Sequence, residues 1–216
     1  MITVNLDDSV RDAMARAERM LAGVPGGLEK AMRAAMSRTV QRVRTDASRR
    51  VRERYAISAG NLRTEQNVRV RYRYSGGGAE AQMLFSGAKI PTYRFDGSGP
   101  KTPARRSDFR PAMLGDHWAM VHPGAAAYGH LLRGTSPTRY ERAFTATFRS
   151  GHTGLFERTG GVTAEGRAEI REIMGLSIPQ MIGNEEVLGN LSQDASETFD
   201  ERMDHEILRV LNGWGG

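Results

Sequence analysis

At 216 residues, with 39% hydrophobic and 26% charged residues, the chain is long enough for one core with excursions and too apolar to be wholly disordered. It has no cysteine, which excludes disulfides, thiolate zinc sites, iron–sulfur clusters and cysteine nucleophiles together. Its net charge of +6 rests almost entirely on arginine, and the sign is uneven along the chain: residues 30–73 hold 13 basic and three acidic side chains, whereas residues 185–206 hold eight acids against Arg202 alone.

The opening residues have early acids and no apolar core of a leader, and no apolar run approaches the roughly 20 residues a membrane-spanning helix needs. The expectation is a chain kept in the cytosol. Val10, Met14, Ala17 and Leu21 follow the helical period behind Asp7, Asp8 and Ser9, each able to cap a helix. Gly23 to Gly27, with Pro25 among them, then breaks the chain.

The strongest periodicity runs from Leu28 to Tyr55. Leu28, Met32, Met36, Val40, Val43, Ala47, Val51 and Tyr55 recur at steps of three or four, which predicts a helix about 42 Å long at about 1.5 Å per residue. Its other faces carry Arg33, Arg38, Arg42, Arg44, Arg49, Arg50, Arg52 and Arg54. From Gln66 the period falls to two: Val68, Val70, Tyr72 and Tyr74 alternate with Arg69, Arg71 and Arg73, and after Ser75 to Gly78 the alternation resumes at Ala81, Met83 and Phe85. This pattern predicts a β-hairpin. Ile90 to Phe95 reads as a short edge strand, because Pro91 cannot donate to a central ladder.

Residues 96–142 contain five of the eight prolines and little periodicity, so they are expected to form a loop or arm inserted in a single domain spanning 1–216, with one short strand at His117–Val121. Strands return at Ala143–Arg149 and Leu155–Arg158 around a turn at Ser150–His152. The last element, Glu185 to Leu211, steps through Leu188, Leu191, Ala195, Phe199, Met203, Ile207 and Leu211 before Gly213, Gly215 and Gly216.

The chemistry-bearing residues do not assemble into a catalytic motif. His117, His122, His130, His152 and His205 lack metal-ligand spacing, no serine sits in a nucleophile elbow, and Gly97 to Lys101 lacks the end of a phosphate loop. No cofactor or metal is expected. Arginine at the density of 30–73 suits an acidic protein surface or nucleic-acid phosphates, and a solvated helix face is the plain alternative. The candidate subunit or DNA-channel contacts are Arg38, Arg42, Arg49, Arg52, Arg69, Arg71 and Arg73; the candidate partner-binding arm carries Arg105, Arg106, Phe109, Trp118 and Tyr128. The opposed charge blocks can pair within one subunit or between neighbours in a ring.

Several segments, taken in order, resemble the minor tail protein Z family of tailed bacteriophages. They are Ala31 to Arg38 continuing into Ser48 to Val51 and Tyr55 to Ile57; Ile90 to Phe95; Phe144 to Ala146 with Gly151 to Arg158; and Gly175 to Met181 leading to His205, Glu206 and Ile207. The likeness lies in the serial order of these pieces, not in any one motif. It implies an α+β fold, with the long helix and the C-terminal helix packed on an antiparallel sheet. It also implies a structural role without turnover: a homo-oligomeric ring, six-fold, in the virion neck around the DNA channel, assembled in the host cytoplasm. Its partners would be itself, the tail terminator or tail tube protein, the head–tail connector proteins and, without sequence preference, the DNA; no membrane is involved. The alternative from another class is a DNA-binding protein using residues 38–73.

Overall fold

The computed structural model describes residues 8–65, 67–75, 78–100, 110–114, 117–121, 127–140 and 143–213; for 8–11, 64–65, 67, 73–75, 78–80, 110–114 and 117–121 it describes the backbone alone. The architecture is α+β, with long helices near each end of the chain and antiparallel strand pairing throughout the described residues. The chain divides into two compact units, each assembled from separated stretches: Met1–Val51, Gln66–Gly87 and Ile178–Gly216 in the first, Arg52–Glu65 and Ala88–Ser177 in the second.

The first unit is built on three helices, α1 (Asp8–Leu21), α2 (Gly27–Arg54, whose final turn falls in the second unit) and α5 (Glu185–Leu211). One hydrophobic cluster draws Ala13, Met14, Ala17 and Leu21 from α1, Ala31, Met32, Ala35 and Met36 from α2, and Phe199, Met203 and Ile207 from α5. The four alanines, all with no exposed surface, explain the tight packing: a methyl group every turn lets neighbouring backbones approach while Met and Phe fill the remaining volume. Helices α2 and α5 run antiparallel, since Gly27 faces Val210 at one end and Arg50 binds Asp194 towards the other. Glu185 and Glu186 in the first turn of α5 and Arg209 in its last complement the helix dipole. Asn212 and Gly213 close it, Gly213 at φ +71°, where a side chain would be strained.

The predicted hairpin is present in the first unit. Strand β1 (Asn67–Ser75) pairs with β2 (Gly78–Ser86) in a register that sets Val68 opposite Phe85, Val70 opposite Met83 and Tyr72 opposite Ala81 on one face. Met83 and Phe85 are buried, and Ala81 packs against the three-helix cluster. Helix α4 (Ile178–Ile182) packs on β2 and on α5, burying Ile178, Met181 and Ile182.

The second unit contains α3 (Ala59–Glu65), the paired strands β3 (Lys89–Pro91) and β11 (Met174–Ser177), β4 (Arg110–Leu114) with β5 (His117–Val121), β6 (Ala127–Gly129) with β7 (Thr138–Tyr140), and a three-stranded sheet ordered β10 (Ala168–Glu172), β9 (Thr153–Val162), β8 (Ala143–Thr147). Ile57, Leu62, Ile90, Phe95 and Leu155 are its fully buried large side chains. Gly175 is required by packing: a β-carbon there would lie 2.8 Å from Phe95 Cε2 and 3.2 Å from the Ile90 carbonyl oxygen.

Among the described residues the antiparallel pairing is spread over five small sheets, the three-stranded one in the second unit. Two expectations change. The long helix ends at Arg54, with no glycine or proline to stop it, because Tyr55 and Ile57 are taken into bridges with Leu132 and Phe95. Tertiary pairing there outweighs helix propensity. Residues 96–142 are not a plain loop: among the described residues they supply four strands, β4 to β7. Their two ends are knitted into the second unit, where Gly99 and Tyr128 exchange backbone hydrogen bonds of 2.9 and 2.8 Å, the Ala56 amide donates to the Leu131 carbonyl and the Arg133 amide to that of Arg54.

Candidate interaction surfaces

The arginines of α2 divide into paired and outward-facing groups. Arg42 donates from Nε to Asp46 at 3.0 Å, Arg49 reaches both Asp46 and Asp194 at 3.2 and 3.3 Å, and Arg50 grips Asp194 with Nε at 2.8 Å and a terminal nitrogen at 2.6 Å. This two-pronged hydrogen bond from Arg50 holds the Asp194 carboxyl below its ordinary range, against the opposing effect of burial and with Arg49 adding to it. Asp46, mid-helix and only 3% exposed, is the hub that lets a polar group sit on the buried side of α2.

A second pairing joins α1 to α5. Arg16 Nε donates to Asp204 at 2.8 Å, and its guanidinium lies 3.7 Å from Asp200. One Asp200 carboxyl oxygen is shut away from solvent without a hydrogen bond, and this burial pushes the group up; Arg16 opposes the shift, while Asp204 and Asp12 add to it. The acidic helix thus meets basic side chains of its own chain at Asp194, Asp200 and Asp204.

Of the sequence-predicted contacts, Arg42 and Arg49 are therefore committed to internal ion pairs. Arg52 is half-buried in the second unit and its carbonyl accepts from Arg133 Nε. Arg38, Arg69 and Arg71 are exposed and make no ion pair among the described residues, and the same holds for Arg44, which the candidate set omits. Arg73 stands in register opposite Glu80, outside the described side chains. Arg50 and Arg16, the internal anchors, were also absent from the candidate set; the signal for Arg50 is its place beside the buried stripe, one residue before Val51.

In the arm, Arg105, Arg106 and Phe109 lie outside the described residues. Trp118 sits on β5 opposite Met113, with its backbone alone described. Tyr128 is 36% exposed, on backbone fixed in the second unit. The histidines remain apart: His130 Nδ1 is 3.0 Å from the Asp96 carbonyl, His152 Nε2 is 2.9 Å from Glu172, and His205 is 4.0 Å from Glu206. His117 and His122 fall outside the described side chains. Among the described residues no group of three or more metal-ligating side chains converges, and no helix is long and apolar enough to cross a membrane.

No family model, curated protein or solved structure matches this chain.

Proposed function

We propose that the protein is a structural subunit of a tailed bacteriophage that completes the head-proximal end of the tail, forming a homo-oligomeric ring, a hexamer, around the DNA channel. It would meet the tail terminator or tail tube on one side and the head–tail connector on the other. The serial likeness to the minor tail protein Z family motivates this reading. The observation that carries it is the charge left over after internal pairing: Arg38, Arg44, Arg69 and Arg71 face outward on one unit that also exposes Glu185, Glu197 and Glu201. Separate surfaces of opposite sign suit head-to-tail contact between identical subunits. The role is one of assembly, without turnover. Negative-stain imaging of the purified protein, alone and with tail tubes, is expected to show rings; a strictly monomeric subunit in joined particles overturns the reading.

The same outward arginines favour a second reading, sequence-independent binding to nucleic-acid phosphates through residues 38–73. It predicts an affinity for random duplex DNA that falls steeply with salt. Metal-dependent DNA cleavage lost on one Asp or Glu substitution would overturn both.

A further inference from the structure

The outer face of the β1–β2 hairpin and the outer stripe of α5 carry opposite charge, and each lies on the side of its element away from the buried residues. The hairpin turns Ala81, Met83 and Phe85 inward, so Arg69 and Arg71, on the alternate positions, point away from the helices. On α5 the buried line runs Val187, Leu191, Ala195, Phe199, Met203 and Ile207. The opposite side presents Glu197 and Glu201, both exposed, followed by Leu208 at 55% and Leu211 at 44% exposure.

The two rows share a pitch. Residues four apart on a helix are separated by about 6 Å, and residues two apart on a strand by about 6.8 Å. Glu197 and Glu201 can therefore engage Arg69 and Arg71 side by side. Exposed ion pairs of this kind set register and orientation more than affinity. Apolar surface adjoins both rows: Leu208 and Leu211 on the helix, and half-buried Leu84, the cross-strand partner of Arg69, on the hairpin's outer face.

We infer that the outer stripe of α5 in one copy docks on the Arg69–Arg71 face of the hairpin in the next, a heterologous contact that propagates head to tail. This rests on the ring reading and assigns its contact surface. A nucleic-acid ligand fits the hairpin face less well, because half-buried Leu84 and Gln82 stand opposite the arginines and offer a phosphate backbone no further cation.

The test is charge reversal in the full-length protein, followed by sedimentation velocity across a concentration and salt series. R69E/R71E and E197R/E201R are each expected to weaken self-association at least about tenfold, because like charges then face each other. Mixing the two variants restores opposite charges at both kinds of contact and is expected to recover assembly, as is the fourfold swap in one chain. Circular dichroism melting checks that every variant is folded; should a double reversal unfold, R69Q/R71Q and E197Q/E201Q are expected to weaken association in the same order. If wild type assembles and the folded variants assemble equally well, this contact is wrong while the ring reading stands. If wild type stays monomeric at all soluble concentrations, both fall. If R69E/R71E loses duplex DNA binding but keeps self-association, the arginines serve phosphates and the inference is overturned.

Discussion

Asp194 and Asp200 lie on the same helix and respond to acid in opposite senses. Asp194, held below its ordinary value of 3.8 by Arg50, contributes stability that is present above that value and is lost as pH falls through the lower folded-state value. Asp194→Ala is therefore expected to cost about 1–3 kcal/mol at pH 7, the range for a charge-assisted hydrogen bond, with the deficit shrinking as the wild type is titrated below about pH 4. Asp200 is raised, so its protonated form is the one the fold favours, and that contribution disappears as pH rises through the folded-state value. Asp200→Asn is expected to melt no lower than wild type at pH 7 and to lose any advantage near pH 3. Paired denaturation curves at the two pH values check both, and a D194A deficit that grows in acid, together with a D200N deficit seen at pH 7 and absent near pH 3, would reverse the assignment. At Gly175 the added methyl of alanine would press on Phe95 and the Ile90 carbonyl, so G175A is expected to lose about 1–3 kcal/mol as an overpacked core does.

At the scale of elements, the β4–β5 hairpin and the strand that follows it differ in how they are held. Among the described residues β4 and β5 pair only with each other, while β6 and the residues after it are bonded to Gly99, Arg54 and Ala56. Replacing residues 110–121 with a short glycine–serine link is expected to shift the melting midpoint little, whereas removing 127–133 is expected to abolish cooperative unfolding of the second unit. Differential scanning calorimetry of the two deletions distinguishes them, and a stable 127–133 deletion would show that the extended pairing of Tyr55 to Ile57 does not depend on it. What could be read from sequence at this scale follows from how local each signal was. Helices 27–54 and 185–211 and the β1–β2 hairpin advertise themselves because each buries one regular face, and their periods survive in a single stretch of residues. Strand β10 escapes a reading from sequence because its two half-buried positions, Ile170 and Glu172, include only one apolar residue, and a register shift in its pairing with β9 interrupts any alternation. Helix α3 escapes a reading from sequence for its brevity, about two turns with Leu62 as its buried anchor. The candidate surfaces were legible only in part: arginine density marks a basic region, but which arginines are spent internally depends on Asp46 and on Asp194, one of them 145 residues from its partner Arg49.

Over the whole molecule the units exchange chain four times, at 51/52, 65/66, 87/88 and 177/178. The three-helix cluster needs Phe199, Met203 and Ile207 as much as Met32 and Met36, so a fragment ending at residue 87 lacks one wall of its core. Phe199→Ala alone is expected to cost about 3–5 kcal/mol by leaving a cavity among the three helices. A 1–87 fragment is expected to lack a cooperative melt by itself and to gain one when residues 178–216 are supplied as a separate peptide; circular dichroism of the mixture measures it. A cooperative melt of 1–87 without the peptide would show that α1 and α2 suffice.

That interleaving imposes an order on birth at the ribosome. The second unit has all its residues once synthesis passes Ser177, but the first cannot close until Ile207 has been made, some seconds later at about 5–20 residues per second. Throughout that interval the apolar faces of the two earliest helices wait in solvent, recognisable to chaperones and proteases as unfinished. Because Leu208 and Leu211 come from the same late helix that seals this core, a nascent or truncated chain lacks its outward stripe for as long as it lacks a finished interior. On the proposed ring contact, competence to assemble is thereby timed to the completion of folding.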